Sequence, residues 1–130
     1  MNFDVMWDDD NLAIIHQVLP QNWVWDDFYA AKYASETMMD CVSHPVGVVL
    51  QLPISRSLRE NAVMNWRRLT ARNHRNLHKT AIVAPNVYVQ TILSLVMKGQ
   101  HNFDKQYVLV GAVEEARAIL TEQYPITAVS

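Results

Sequence analysis

Cysteine is nearly absent: Cys41 stands alone among 130 residues. No intrachain disulfide can form, and a thiolate zinc cluster, which needs several cysteines, is excluded. Glycine is scarce as well, at Gly47, Gly99 and Gly111. No Gly-rich phosphate loop, dinucleotide fingerprint, nucleophile elbow or His-Glu-x-x-His stretch occurs, so no cofactor is expected. Long apolar runs are missing too. The longest, around 46–52 and 107–112, have strand length and fall short of the ~20 residues that span a bilayer. The opening MNFDVMWDDD places acids where a secretion signal needs a basic region. A cytoplasmic chain without membrane insertion is therefore expected.

What is present suits a folded domain. Half the residues are apolar and 18% are charged, values ordinary for one globular unit over residues 1–130. The net charge of −2 names no partner, but it is unevenly spread. Residues 1–40 hold eight acids and one lysine; residues 56–79 hold six arginines, one lysine and one glutamate.

Phe3, Val5 and Trp7 alternate with polar neighbours, which predicts a strand over 2–7, and 12–18 reads as its hairpin partner. Pro20 ends that strand. Asn22 can cap a helix in which Val24, Phe28, Ala31, Ser35, Met38 and Val42 form one stripe, closed by His44-Pro45. Residues 46–52 (VGVVLQL) are almost continuously apolar, as in a central strand covered on both faces. A loop over 53–57 leads to a helix over 58–73 with Leu58, Ala62, Trp66 and Leu69 inward. A strand over 80–84, with Leu77 as an earlier entry point, comes next. A helix then opens at Pro85-Asn86 and stops at Gly99, and 107–111 and 113–123 form the last strand and helix. Strands alternating with amphipathic helices predict an α/β fold. It has one single-layer, mixed, largely parallel five-stranded sheet, an N-terminal antiparallel hairpin and about four helices.

The element order, the strand 46–52 running into a loop and helix, and the tail YVLVGAVEEARAIL resemble the STAS domains and their lipid-binding SpoIIAA-like relatives, over about residues 2–122. The resemblance implies a non-catalytic regulatory or protein-binding module. In the antagonist branch of that family a partner kinase phosphorylates a serine of an Asp-Ser pair in the loop after the central strand. The corresponding stretch here holds Ser55, Arg56, Ser57 and Arg59, without that Asp. It is the candidate phosphorylation or partner-binding site, since free backbone N–H groups at a helix start suit an anion. The plain alternative is a cap: Ser57 with Glu60 makes a Ser-x-x-Glu capping box.

Other features are weighed in the same way. Trp7, Trp23, Trp25, Tyr29 and Tyr33 surround the first helix. They are candidates for an apolar pocket, holding a small lipid-like ligand between that helix and the sheet, or for a homodimer surface. Core and rim packing is the alternative. The basic run Arg67, Arg68, Arg72, Arg75 and Lys79 offers an acidic partner a surface, or is a solvated helix end; with Trp66 facing inward, a nucleic-acid site is not expected. His74 and His78 are four apart, but Asn73 and Asn76 mark a helix ending there, so no metal site is assigned. Asp8-Asp9-Asp10 reads as a solvated turn and Cys41 as an inert, at least half-buried thiol. No histidine has a sequence partner that would make it a catalytic base, so an enzyme is not expected.

Overall fold

Successive side chains of a strand point to opposite faces, so a run apolar at every position needs cover on both. Residues 46–51 have that cover. The computed structural model describes residues 4–8, 10–53, 61–98 and 106–123. In it they form β3 (Val46–Gln51), buried from Val46 through Leu50. It is the middle strand of five, in the order β1 (Asp4–Trp7), β2 (Ile14–Val18), β3, β4 (Leu77–Val83), β5 (Tyr107–Val110). β1 and β2 pair antiparallel, with Met6 opposite His16, and every later pair is parallel. The fold is the α/β architecture expected, one mixed sheet with an antiparallel hairpin at its edge.

Four helices are seen among the described residues: α1 (Trp25–Met39), α2 (Ala62–Thr70), α3 (Val87–Met97) and α4 (Val113–Gln123). From β2 to β5 each step moves one place in the same direction. Crossovers of one hand then put their helices on one face. There Phe28 of α1, Trp66 and Leu69 of α2, and Val89, Leu93 and Met97 of α3 pack with Leu50 and Ile82. α4 follows the last strand and covers the other face, where Ala116 and Leu120 meet Val49, Ala81, Val83 and Val110.

Three prolines end three strands at the same edge. Leu19, Leu52 and Ala84 are buried, and each donates one last backbone N–H, to Gln51, Val83 and Val110 respectively. Pro20, Pro53 and Pro85 come next. Proline has no N–H and disfavours a helical residue before it, so the ladder stops and the chain turns away. The loops after β2, β3 and β4 are thereby gathered at one end of the sheet.

α2 ends at Thr70 rather than at residue 73, and three further helix boundaries differ from expectation. α1 is capped at Val24, not Asn22: the Asp27 carboxylate accepts the Val24 N–H at 2.9 Å. It ends at Met39 rather than running to Val42, because the amide of Asn76 donates to both the Met39 and Val42 carbonyls at 3.0 Å. Cys41 consequently lies past the helix end and is exposed, not half-buried. The described part of α2 begins at Ala62, since Asn61 takes a left-handed backbone (φ 62) that a helix from 58 could not pass through.

Candidate functional site

The segment after β3 leaves the sheet at Pro53, and the described chain resumes at Asn61. Ser55, Arg56, Ser57 and Arg59, with the Ser57/Glu60 capping box, lie outside the described residues. The flanks are firmly placed. Leu52 is bonded to Val83 beside the Ala84-Pro85 turn. At the other flank, the Asn61 carbonyl accepts from both the backbone N–H and the side-chain amide of Asn65 at 3.0 Å. The Oδ1 of Asn65 in turn accepts from the Tyr29 hydroxyl at 2.9 Å. Tyr29 thus ties α1 to the start of α2 and fixes one end of the segment.

Past Asn61, the outer faces of α2 and α3 carry apolar side chains in the open. Val63 and Met64 are about half exposed, Tyr88 and Leu95 more so, and Val87 is 74% exposed. These five are on two helices, whereas the other large exposed hydrophobics described (Met6, Leu12, Val24 and Tyr33) are scattered singly over the rest of the chain. Scattered apolar residues need no explanation, but Val63 and Met64 line one recess together with Ile92 of α3, and such a grouping marks a contact surface. Arg67 borders the same groove.

The five aromatics singled out in the sequence divide. Trp23 is buried, edge-on to Trp25 at 4.9 Å and to Phe28 at 5.2 Å. Phe28 continues the chain of rings to Trp66, and Trp66 to Tyr107, each at 6.0 Å. Trp7 packs separately, on Ile15, Met39, Val46 and Val48. Tyr33 is exposed. Of the five, Trp23 is buried and Trp7, Trp25 and Tyr29 are half-buried against the core, with edge-to-face geometry between Trp23 and Trp25 that adds to simple burial. A cavity does lie between α1 and the sheet, as the carrier reading expects. Phe28, Trp66 and Tyr107 line it; Trp7, Trp23, Trp25, Tyr29 and Tyr33 do not. Its volume is about 70 Å³, room for two or so water molecules at roughly 30 Å³ each and far from the ~300 Å³ at which ligand pockets begin.

The polar groups of this cavity escaped the sequence reading. Gln17 of β2 is buried and its amide donates to Ser35 of α1 at 2.6 Å. Ser35 was legible as the one polar member of the α1 stripe, but its strand partner was not. At the mouth, Lys32 donates to the Arg72 carbonyl at 2.6 Å; burial, partly offset by Glu36, lowers its pKa. The Tyr107 hydroxyl donates to Asn73 Oδ1 at 3.0 Å, yet burial still pushes its pKa up to about 12.

His74 and His16 are engaged structurally. His74 accepts the Asn76 N–H through Nδ1 at 3.0 Å, so the proton of the neutral ring sits on Nε2 and is donated to Asp40 at 2.7 Å. Both nitrogens are occupied, which leaves no lone pair for a substrate. The spacing to His78 is not helical: His74 lies in a turn and His78 on β4. Among the described residues no group of three potential ligands is poised for a metal ion. His16 donates through Nε2 to Gln51 Oε1 at 2.8 Å, with Nδ1 3.8 Å from Asp8. Asp8 itself is no solvated turn residue. Its side chain is 12% exposed and receives two bonds at 2.8 Å from Arg117. Those hydrogen bonds, opposed by burial and helped by the charge of Arg117, hold its carboxyl below the usual value. The partners are 109 residues apart, so no local pattern could announce them.

No helix among the described residues is long and apolar enough to cross a membrane. Comparison with known protein families, curated proteins and solved structures finds no match.

Proposed function

We propose that this chain is a non-catalytic regulatory module of STAS/SpoIIAA-like type that works by protein–protein contact, switched by phosphate on Ser55 or Ser57. The observation that supports this reading is the position of the flanks: Pro53 follows the central strand at the carboxyl edge of the sheet, where ligands of α/β folds bind, and Asn61 opens α2, which exposes Val63 and Met64. A phosphate adds about −1.5 to −2 charge, close in sequence to Arg56 and Arg59. The partner is a protein, with a second copy of this chain the first to test, and the setting is the cytoplasm. The protein-contact reading is preferred to a lipid-like carrier because the cavity next to α1 holds about 70 Å³. It is preferred to an enzyme because His74 has both ring nitrogens occupied.

Mass spectrometry of the chain isolated from its own cells tests the switch. A phosphate on the peptide covering 52–58 is expected; an unmodified peptide under every growth condition refutes it. Light scattering at micromolar concentration tests self-association, and a 15.0 kDa species alone assigns the contact to a different protein.

A further inference from the structure

Four guanidinium groups follow one another along α2 and the turn after it. Arg67, Arg68, Arg72 and Arg75 are all exposed. Among the described residues none of them pairs with a carboxylate: Glu36 faces Lys32, Asp40 faces His74, and Asp8 faces Arg117 and His16. A solvated helix end would explain Arg67 and Arg68 through the dipole. It does not explain why the same helix also exposes Val63 and Met64. Each of these apolar residues sits four positions before an arginine, Val63 before Arg67 and Met64 before Arg68, so apolar and basic groups alternate along one outer face.

The groove beside that face has Val63, Met64 and Arg67 on its α2 wall and Ile92 of α3 opposite. On α3, Tyr88, Ile92 and Leu95 are spaced by four and three, one stripe that carries the apolar surface onward. The recess is about 590 Å³ in volume, large enough for several side chains. An apolar recess edged by Arg67, which pairs with no carboxylate among the described residues, matches the helix-in-groove mode of recognition, in which anchors at i, i+3, i+4 and i+7 fill the groove. A lipid surface is flat on this scale and would meet a convex face better than a recess.

We infer that the groove between α2 and α3 docks an amphipathic helix of a partner protein, with apolar anchors along one stripe and Asp or Glu flanking it against Arg67 and its exposed helix neighbour Arg68. The inference rests on the protein-binding reading above and adds the chemistry of the partner. Such charge complementarity governs encounter and register more than raw affinity, so binding should weaken as salt rises.

The test uses the whole isotope-labelled chain and a synthetic helical peptide of roughly 15 residues, with Leu at i, i+3, i+4 and i+7 and Glu on the flanks. Controls are the same peptide with Lys for Glu, and vesicles of mixed neutral and anionic phospholipid. The acidic peptide is expected to shift amide resonances of 61–68 and 87–95, while the lysine peptide and the vesicles leave them in place. Arg67→Glu is expected to weaken binding about tenfold, and Met64→Lys to weaken it with every arginine intact; unchanged circular dichroism shows that each variant is folded. No shift at about millimolar peptide, an equal response to the lysine peptide, or shifts with vesicles alone overturns the inference. The double variant Ser55→Ala/Ser57→Ala separates the two claims. It binds the peptide as the parent does if the groove is the site, whatever becomes of the phosphate switch.

Discussion

Asn61 shows how one residue sets the start of a helix. At φ 62 it occupies the left-handed region, which costs most residues about 1–2 kcal/mol but which Asn tolerates. Asn61→Val should therefore lower stability by about 1–2 kcal/mol in urea denaturation, while Asn61→Gly changes it little. Leu12, at φ 55 in the β1–β2 turn, is the opposite case, a branched side chain where a small polar one fits better. Asp8 sets a pH dependence. Arg117 holds its folded pKa below the unfolded value of about 4. The stability it contributes is complete above that value and is lost as pH falls through the lower folded one. Asp8→Asn is expected to lower the melting temperature at neutral pH and to flatten the acid limb below about pH 4. An unchanged acid limb would show that the bidentate contact with α4 contributes nothing in solution.

At the scale of elements, what the chain makes legible is periodicity, and what it hides is contact. α4 begins and ends where its apolar spacing predicts, at Val113 and Gln123. β3 is plain from an apolar run that only a doubly covered strand explains. The α1 stripe, by contrast, continues to Val42, yet the helix stops at Met39 because Asn76, 37 residues away, captures its carbonyl. Its start was misread for a related reason: a cap was sought on the side chain of Asn22, whereas the Asp27 carboxylate supplies it from inside the helix. α1 is also held to the sheet by a buried polar pair, Gln17 with Ser35. Ser35→Ala leaves the Gln17 amide short of its acceptor and should cost about 1–3 kcal/mol. Adding Gln17→Leu should recover much of that loss, since removing both partners is nearly neutral. Denaturation of the two single variants and the double variant measures the coupling directly.

Over the whole molecule, the order of strands decides where function can sit. Sequential parallel strands and three strand-ending prolines bring the β2–α1, β3–α2 and β4–α3 connections to one end. The segment holding Ser55 and Ser57 was identifiable from the chain alone, because it follows a run that could only be the central strand. The groove next to it was not identifiable, since Val63, Met64 and Ile92 become a surface only when two helices 20-odd residues apart lie side by side. The uneven charge of the chain follows the same division. Several early acids have partners within the chain, at Asp8, Glu36 and Asp40, whereas the arginines of α2 face outward. A module of this kind should bring its partner with it. Native mass spectrometry of the chain isolated from its own cells reads mass, bound species and modification together. The predicted result is a complex heavier than the 15.0 kDa chain by a whole protein, lost when a phosphate sits on 52–58. A bare chain, or one carrying only a small apolar molecule, would contradict the account.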